Sequence, residues 1–119
     1  LAIGIGPFVV GPAVERKIGM SAYSTLTMNA TEWFSAEWAR EKGLFSHVYE
    51  NTKEMDKKIT ELAKNLANSN PESMQKLKKI MWEGTENWDE LLLQRAKESG
   101  KLVLSDFTKN AINSFKRNN

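Results

Sequence analysis

The stretch Ser35-Ala36-Glu37-Trp38-Ala39-Arg40-Glu41-Lys42-Gly43-Leu44-Phe45-Ser46-His47-Val48-Tyr49-Glu50 decides the fold class. Its first half carries the helix signals in order. Ser35 offers an N-cap oxygen, Glu37 stands in the electropositive first turn, Arg40 and Lys42 stand in the last turn, and Gly43 supplies the stop. Its second half, Leu44 to Glu50, is β-rich and partly alternating, and is the one convincing strand in the chain. One strand cannot make a sheet. Its partner must lie outside these residues, or the segment survives as an extended connector, so the chain is read as mainly α with at most one short strand.

C-terminal to that stretch every element reads as a helix. From Thr52, the residues Met55, Ile59, Leu62, Ala63 and Leu66 form one apolar stripe at helical spacing, with lysines and acids opposite, and the helix ends in Asn68-Ser69-Asn70. Pro71 opens the next helix, with Met74, Leu77, Ile80 and Met81 inward and Lys76, Lys78 and Lys79 outward. Gly84 and Thr85 are read as breaking it and capping a third, through Trp88, Leu91, Leu92, Arg95 and Ala96. Gly100 leaves two outcomes, an interruption or a continuation through Leu102-Val103-Leu104. Asp106 and Thr108 are both plausible caps for the last element, Lys109 to Phe115.

N-terminal to the stretch, Gly4-Ile5-Gly6-Pro7-Phe8-Val9-Val10-Gly11-Pro12 makes a tight apolar turn that launches a helix, with the look of a pocket wall. Pro12 suits a first helical position, where its missing N–H costs nothing. The helix Ala13 to Ile18 then stops at Gly19, and Ser21 can cap a second one that runs through Tyr23, Leu26 and Met28.

At 119 residues the chain is long enough for one domain with a modest core. It holds no run near the roughly 20 apolar residues that span a bilayer, which excludes a membrane-spanning helix. The net charge of +2 comes from interspersed acids and bases, apart from Lys116-Arg117, and this does not give the clustered basic face that nucleic acid requires. With no cysteine, disulfide frameworks and thiolate sites are impossible, and a reducing compartment such as the cytoplasm is permitted, with the mitochondrial matrix left open.

Few residues suggest chemistry. His47 is the only histidine and has no cysteine to join it, so a His-based metal site lacks a second ligand and none is expected. Gly4-x-Gly6 has neither the third glycine of a dinucleotide loop nor the Lys-Ser/Thr of a P-loop, and is read as a turn pressed against something apolar. No serine lies in a G-x-S-x-G elbow. Trp33, Trp38, Trp82 and Trp88 are read as core or subunit-interface residues, and so much aromatic and Met surface on short helices points to an oligomer.

An ordered set of motifs resembles one family. Phe34-Ser35-Ala36-Glu37-Trp38-Ala39-Arg40-Glu41-Lys42-Gly43-Leu44-Phe45 is similar to the I-S-A-x-x-A-x-x-x-G-L-V segment of the crotonase family, the enoyl-CoA hydratases and isomerases. Upstream, Ile3-Gly4-Ile5-Gly6-Pro7 with Arg16 and Gly19 resembles its L-G-x-x-P-G-x-G-G-T-x-R-L-x-R-x-x-G. Downstream, Asn68-Ser69-Asn70-Pro71 with Lys78 resembles its N-S-P-x-A-x-x-x-x-K, and Asp106 to Arg117 its D-x-x-E-G-x-x-A-F-x-x-K-R. Phe8-Val9-Val10 departs from the family by standing where small residues are usual, which implies a narrower acyl pocket. Asn110-Ala111 replaces the late E-G, and Lys116-Arg117 follows Phe115 directly.

The resemblance implies the C-terminal helical part of a crotonase-like α/β fold. Residues 1–50 would supply the pocket-wall turn, short helices and one strand of the core, and residues 51–119 a helical region for oligomerisation and CoA covering. In the family two glutamates move the proton or water, and two backbone N–H groups stabilise the thioester enolate. The register puts the second glutamate one residue before Leu1 and the other groups further upstream, so no catalytic residue is assigned here, and Glu15, Glu32 and Glu37 read as solvated helix charges. Gly4, Pro7 and Phe8 are carried over as substrate-pocket residues. Phe115, Lys116 and Arg117 are carried over as CoA-binding residues, and in the family such residues often serve a neighbouring subunit. The implied partners are an acyl-CoA substrate and further copies in a homotrimer or dimer of trimers, with no cofactor besides the coenzyme A thioester itself. The isolated chain is expected to be inert. The competing reading is a non-catalytic helical oligomerisation or interaction module.

Overall fold

The computed structural model describes residues 1–117, with side chains described through Phe115. It contains six helices: α1 (Gly11–Met28), α2 (Ala36–Glu41), α3 (Thr52–Ala67), α4 (Pro71–Met81), α5 (Trp88–Val103) and α6 (Asp106–Arg117). No strand occurs among the described residues, and the protein is mainly α. No helix among them is long and apolar enough to cross a membrane. Leu44–Glu50 is irregular, with bends at Leu44, Ser46 and Glu50. The alternation that suggested a strand is real, but alternation needs a ladder partner to become one, and none lies among the described residues.

The chain divides into two compact units. One comprises Leu1–Ser46 together with the chain from Trp88 on, and the other comprises His47–Asn87.

In the first unit the Gly/Pro turn leads into α1, which bends at Gly19. There φ is 76° and ψ is 160°, a conformation closed to most residues with a side chain, so two helical segments meet at that residue. Helical geometry resumes at once after the bend. Ser21 therefore lies inside α1, its carbonyl accepting from the Thr25 hydroxyl at 3.1 Å, and it caps nothing. α2 forms as its signals dictate: Ser35 Oγ accepts from the Trp38 N–H at 3.1 Å, and the Leu44 N–H closes the far end on the Ala39 carbonyl at 2.8 Å. The Phe34 and Trp38 rings lie 4.4 Å apart across that cap, and Ala39 is buried.

α5 passes through Gly100 without a break. It contacts α6, whose start differs from the sequence expectation. Ser105 is the capping residue: its Oγ accepts from the Thr108 N–H at 3.3 Å and its carbonyl from the Lys109 N–H at 3.0 Å. Asp106 and Thr108 both fall inside the helix. Among the described residues, the buried positions of this unit, Gly11, Ala22, Ala39 and Thr108, are all small. It is held by close approach of backbones, not by a filled core of large side chains.

The second unit holds α3 and α4. Asn51 Oδ1 caps α3 by accepting from the Glu54 N–H, and Asn70 Oδ1 caps α4 by accepting from the Ser73 N–H, both at 2.9 Å. The Thr85 hydroxyl donates back to the Trp82 carbonyl at the end of α4, at 2.7 Å, so it finishes the helix behind it instead of capping the one ahead. The apolar stripes exist but are not covered within the described chain. Ile59, Leu62, Leu77, Ile80 and Met81 are all more than half exposed.

Candidate functional site

The turn before α1 is built by two backbone bonds, from the Gly4 N–H to the Leu1 carbonyl at 2.8 Å and from the Phe8 N–H to the Gly6 carbonyl at 2.9 Å. Gly4 adopts φ +80°, which turns the chain sharply between Ile3 and Ile5. The Tyr23 hydroxyl donates to the Pro7 carbonyl at 3.4 Å and occupies the space where a side chain at Gly11 would stand. The second half of α1 thus holds the turn from behind.

This construction leaves an open groove of about 470 Å³ along the turn and α1, lined by Ile3, Ile5, Pro7, Val10, Tyr23 and Leu26 among others. Its wall is mostly aliphatic, with the Tyr23 and Thr27 hydroxyls as its polar side-chain groups, and no carboxylate, imidazole or cationic side chain lines it. Such a surface removes water from a hydrocarbon chain and holds it by burial. It has no carboxylate, imidazole or cationic side chain.

The residues singled out from the sequence face different neighbours. Pro7 lines the groove. Gly4 sits against α6, where an added Cβ would lie 2.5 Å from Thr108 Oγ1 and 2.7 Å from Phe107 Cδ1. Phe8 turns to a second open groove, of about 540 Å³, shared with Leu91, Gln94, Arg95, Glu98, Lys101 and Leu102 of α5. Of the bulky trio Phe8-Val9-Val10, only Val10 lines the first groove. Phe115 is 63% exposed on α6, about 10 Å along the helix axis from Thr108 at the usual rise. Lys116 and Arg117 end α6, and their side chains lie outside the described residues.

The glutamates stand away from the groove. Glu37 pairs with Arg40 at 2.8 Å, and its hydrogen bond and charge raise the arginine's pKa. Glu32 accepts from Asn29 Nδ2. His47 stacks on Tyr49 at 6.0 Å. The sequence reading did not single out Val10, Tyr23 or Leu26 as one surface. The i, i+3 spacing of Tyr23 and Leu26 was available as a signal, but their pairing with Val10 depends on the bend at Gly19.

The geometry therefore defines a class: an apolar wall made of the turn and α1, beside an open groove without a carboxylate or cationic side chain. A sequence model of the enoyl-CoA hydratase/isomerase family matches residues 1–116, and the chain belongs to that family. Neither the curated proteins nor the solved structures searched contain a match to it.

Proposed function

We propose that this chain is the C-terminal portion of an enoyl-CoA hydratase/isomerase-like enzyme that acts on acyl-CoA thioesters through an enolate held in an oxyanion hole. The observation that carries the reading is the chemistry of the groove. It offers aliphatic contact to an acyl chain and no carboxylate to the reacting carbons. In this reading the two glutamates and the oxyanion N–H donors stand upstream in the complete protein. The hydrogen bonds from the N–H donors strengthen as charge gathers on the thioester oxygen, so the stabilisation is specific to the transition state. These residues supply the wall along which the acyl group lies, and the end of α6 supplies Phe115, Lys116 and Arg117 to the CoA moiety. A guanidinium or ammonium opposite a CoA phosphate forms the stronger, charge-assisted kind of hydrogen bond. Coenzyme A enters as part of the substrate, and the complete enzyme works in the cytoplasm or mitochondrial matrix as a homotrimer or dimer of trimers.

The test is hydration of crotonyl-CoA, followed by loss of the enoyl absorbance. The 119-residue chain should show no rate above buffer, and a chain extended upstream through the matching glutamates should show turnover. Hydration by the short chain would sink the reading. A second reading, a free-standing helical oligomerisation module, is favoured by the exposed stripes on α3 and α4. The intact mass and N-terminal sequence of the native product separate the two. A native start at Leu1 supports the module, and upstream residues that end in a glutamate support the enzyme.

A further inference from the structure

Thr108 is 0% exposed, although its helix neighbour Phe107 is 64% exposed. Helix capping does not explain a hydroxyl buried there, because Ser105 already provides the cap. Ser105 Oγ accepts the Thr108 N–H at 3.3 Å and donates to Thr108 Oγ1 at 3.2 Å, which fixes the orientation of the threonine side chain. What Thr108 meets is Gly4. The close approach requires a glycine on one side, since a Cβ would lie 2.5 Å from the hydroxyl oxygen. It also favours an oxygen on the other, because a methyl group needs more room. The residues on either side of Gly4, Ile3 and Ile5, line the apolar groove. A displacement of α6 against Gly4 therefore moves two groove-lining side chains through a single residue.

We propose that Thr108, backed by Phe107, is a positioning residue: α6 is a strut that sets where the Gly4–Val10 wall stands. Its consequence for catalysis rests on the reading of that wall as an acyl-pocket surface. The helix that would present Phe115 to coenzyme A also sets the width of the groove for the acyl chain, so the two ends of one substrate are coupled through α6. The joint itself is testable without catalysis.

The experiment is isoleucine-methyl NMR on the 119-residue chain, with amide exchange at Gly4 and Phe8. In Gly4→Ala and Thr108→Val, the methyl resonances of Ile3 and Ile5 should shift and the two amides should exchange about tenfold faster, from the strain at positive φ and the overpacking at the joint. The resonances of Ile59 and Ile80 should stay in place and report that α3 and α4 remain folded. Thr108→Ser keeps the oxygen and should restore the parent spectrum. If Gly4→Ala does not fold, Phe107→Ala removes the backing ring without adding an atom and should move the same resonances. Unmoved Ile3 and Ile5 methyls would overturn the proposal, as would equal shifts across all isoleucines or a Thr108→Ser variant that behaves like Thr108→Val. Any of these leaves the crotonyl-CoA test unaffected, and failure of that test leaves the joint standing.

Discussion

Leu62→Glu should weaken self-association of this chain about a hundredfold. On α3, Met55, Ile59, Leu62 and Leu66 are 36%, 54%, 59% and 48% exposed, so the stripe that should face a core faces solvent. The chain as a whole exposes 9699 Å², against about 7,800 Å² for two separately folded bodies of these sizes. The excess, about 1,900 Å² on one chain, is more than the roughly 800 Å² that each partner gives to a standard specific interface. At 59% exposure Leu62 offers about 110 Å² of apolar surface, whose burial contributes about 2.8 kcal/mol. That energy is the stated hundredfold. The glutamate adds a desolvation cost on top, and it leaves α3 intact because Glu and Leu are similar helix formers. Sedimentation velocity across a concentration series reads the association, and far-UV circular dichroism checks the helix. A parent chain that stays monomeric, or a variant that assembles as the parent does, refutes the reasoning.

Three further outcomes are expected. Asn51→Ala and Asn70→Ala should each cost about 1 kcal/mol by removing the oxygen that caps α3 or α4, seen as lost helicity on mild heating. Gly11→Ala should destabilise the first unit by about 1–3 kcal/mol, because the new Cβ collides with the Tyr23 hydroxyl. Adding Tyr23→Phe should recover much of that loss in denaturant melts, since it surrenders only a long bond to Pro7. The third concerns pH. The hydrogen bond from Lys58, with its charge, holds the Glu61 carboxyl below its ordinary 4.5 and raises the lysine above its ordinary 10.5. The pair's contribution is therefore complete between those two values. On the acid side it disappears as pH falls through the Glu61 folded value, and on the basic side as pH rises through that of Lys58. In an NMR titration, Lys58→Ala should move the Glu61 midpoint up toward 4.5, and added salt should move it part of the way.

The helices were legible where local chemistry alone decides. Ser35 and Gly43 bracket α2, and Pro71 opens α4, through effects that reach only three or four residues, and no distant contact overrides them. The start of α6 was not legible, because Ser105, Asp106 and Thr108 all carry a capping oxygen and only the helix register selects Ser105. Thr85 was read forward and acts backward for the same reason: a hydroxyl beside two helix ends can serve either. The segment after Gly43 has the alternation of a strand, but pairing is a long-range property that sequence patterning does not supply. At the site, the Gly/Pro turn was visible and the directions of its side chains were not. Phe8 faces α5 and Gly4 faces α6, and both directions are set by contacts many residues apart in sequence.

The positions that pack most tightly in the first unit are small and the residues left outside are large, and this inverts the usual arrangement of an independent domain. Gly4 brings the turn within reach of Thr108 on α6, and Gly11 brings the first half of α1 within reach of Tyr23 on its second half. Phe107, Ile112 and Phe115 on α6 remain 64%, 39% and 63% exposed. Burial of large side chains is normally the main source of stability, at about 1.5–3 kcal/mol each. Here that surface is largely unspent within the chain, and the close glycine contacts hold the helices in register without it. A wall that must keep a groove of fixed width against further protein needs both properties: contacts too short to drift on one side, and apolar area on the other that becomes stabilising when covered. Gly4→Ala and Leu62→Glu therefore separate the two. The first should disturb the groove without changing association, and the second should change association without moving the Ile3 and Ile5 resonances.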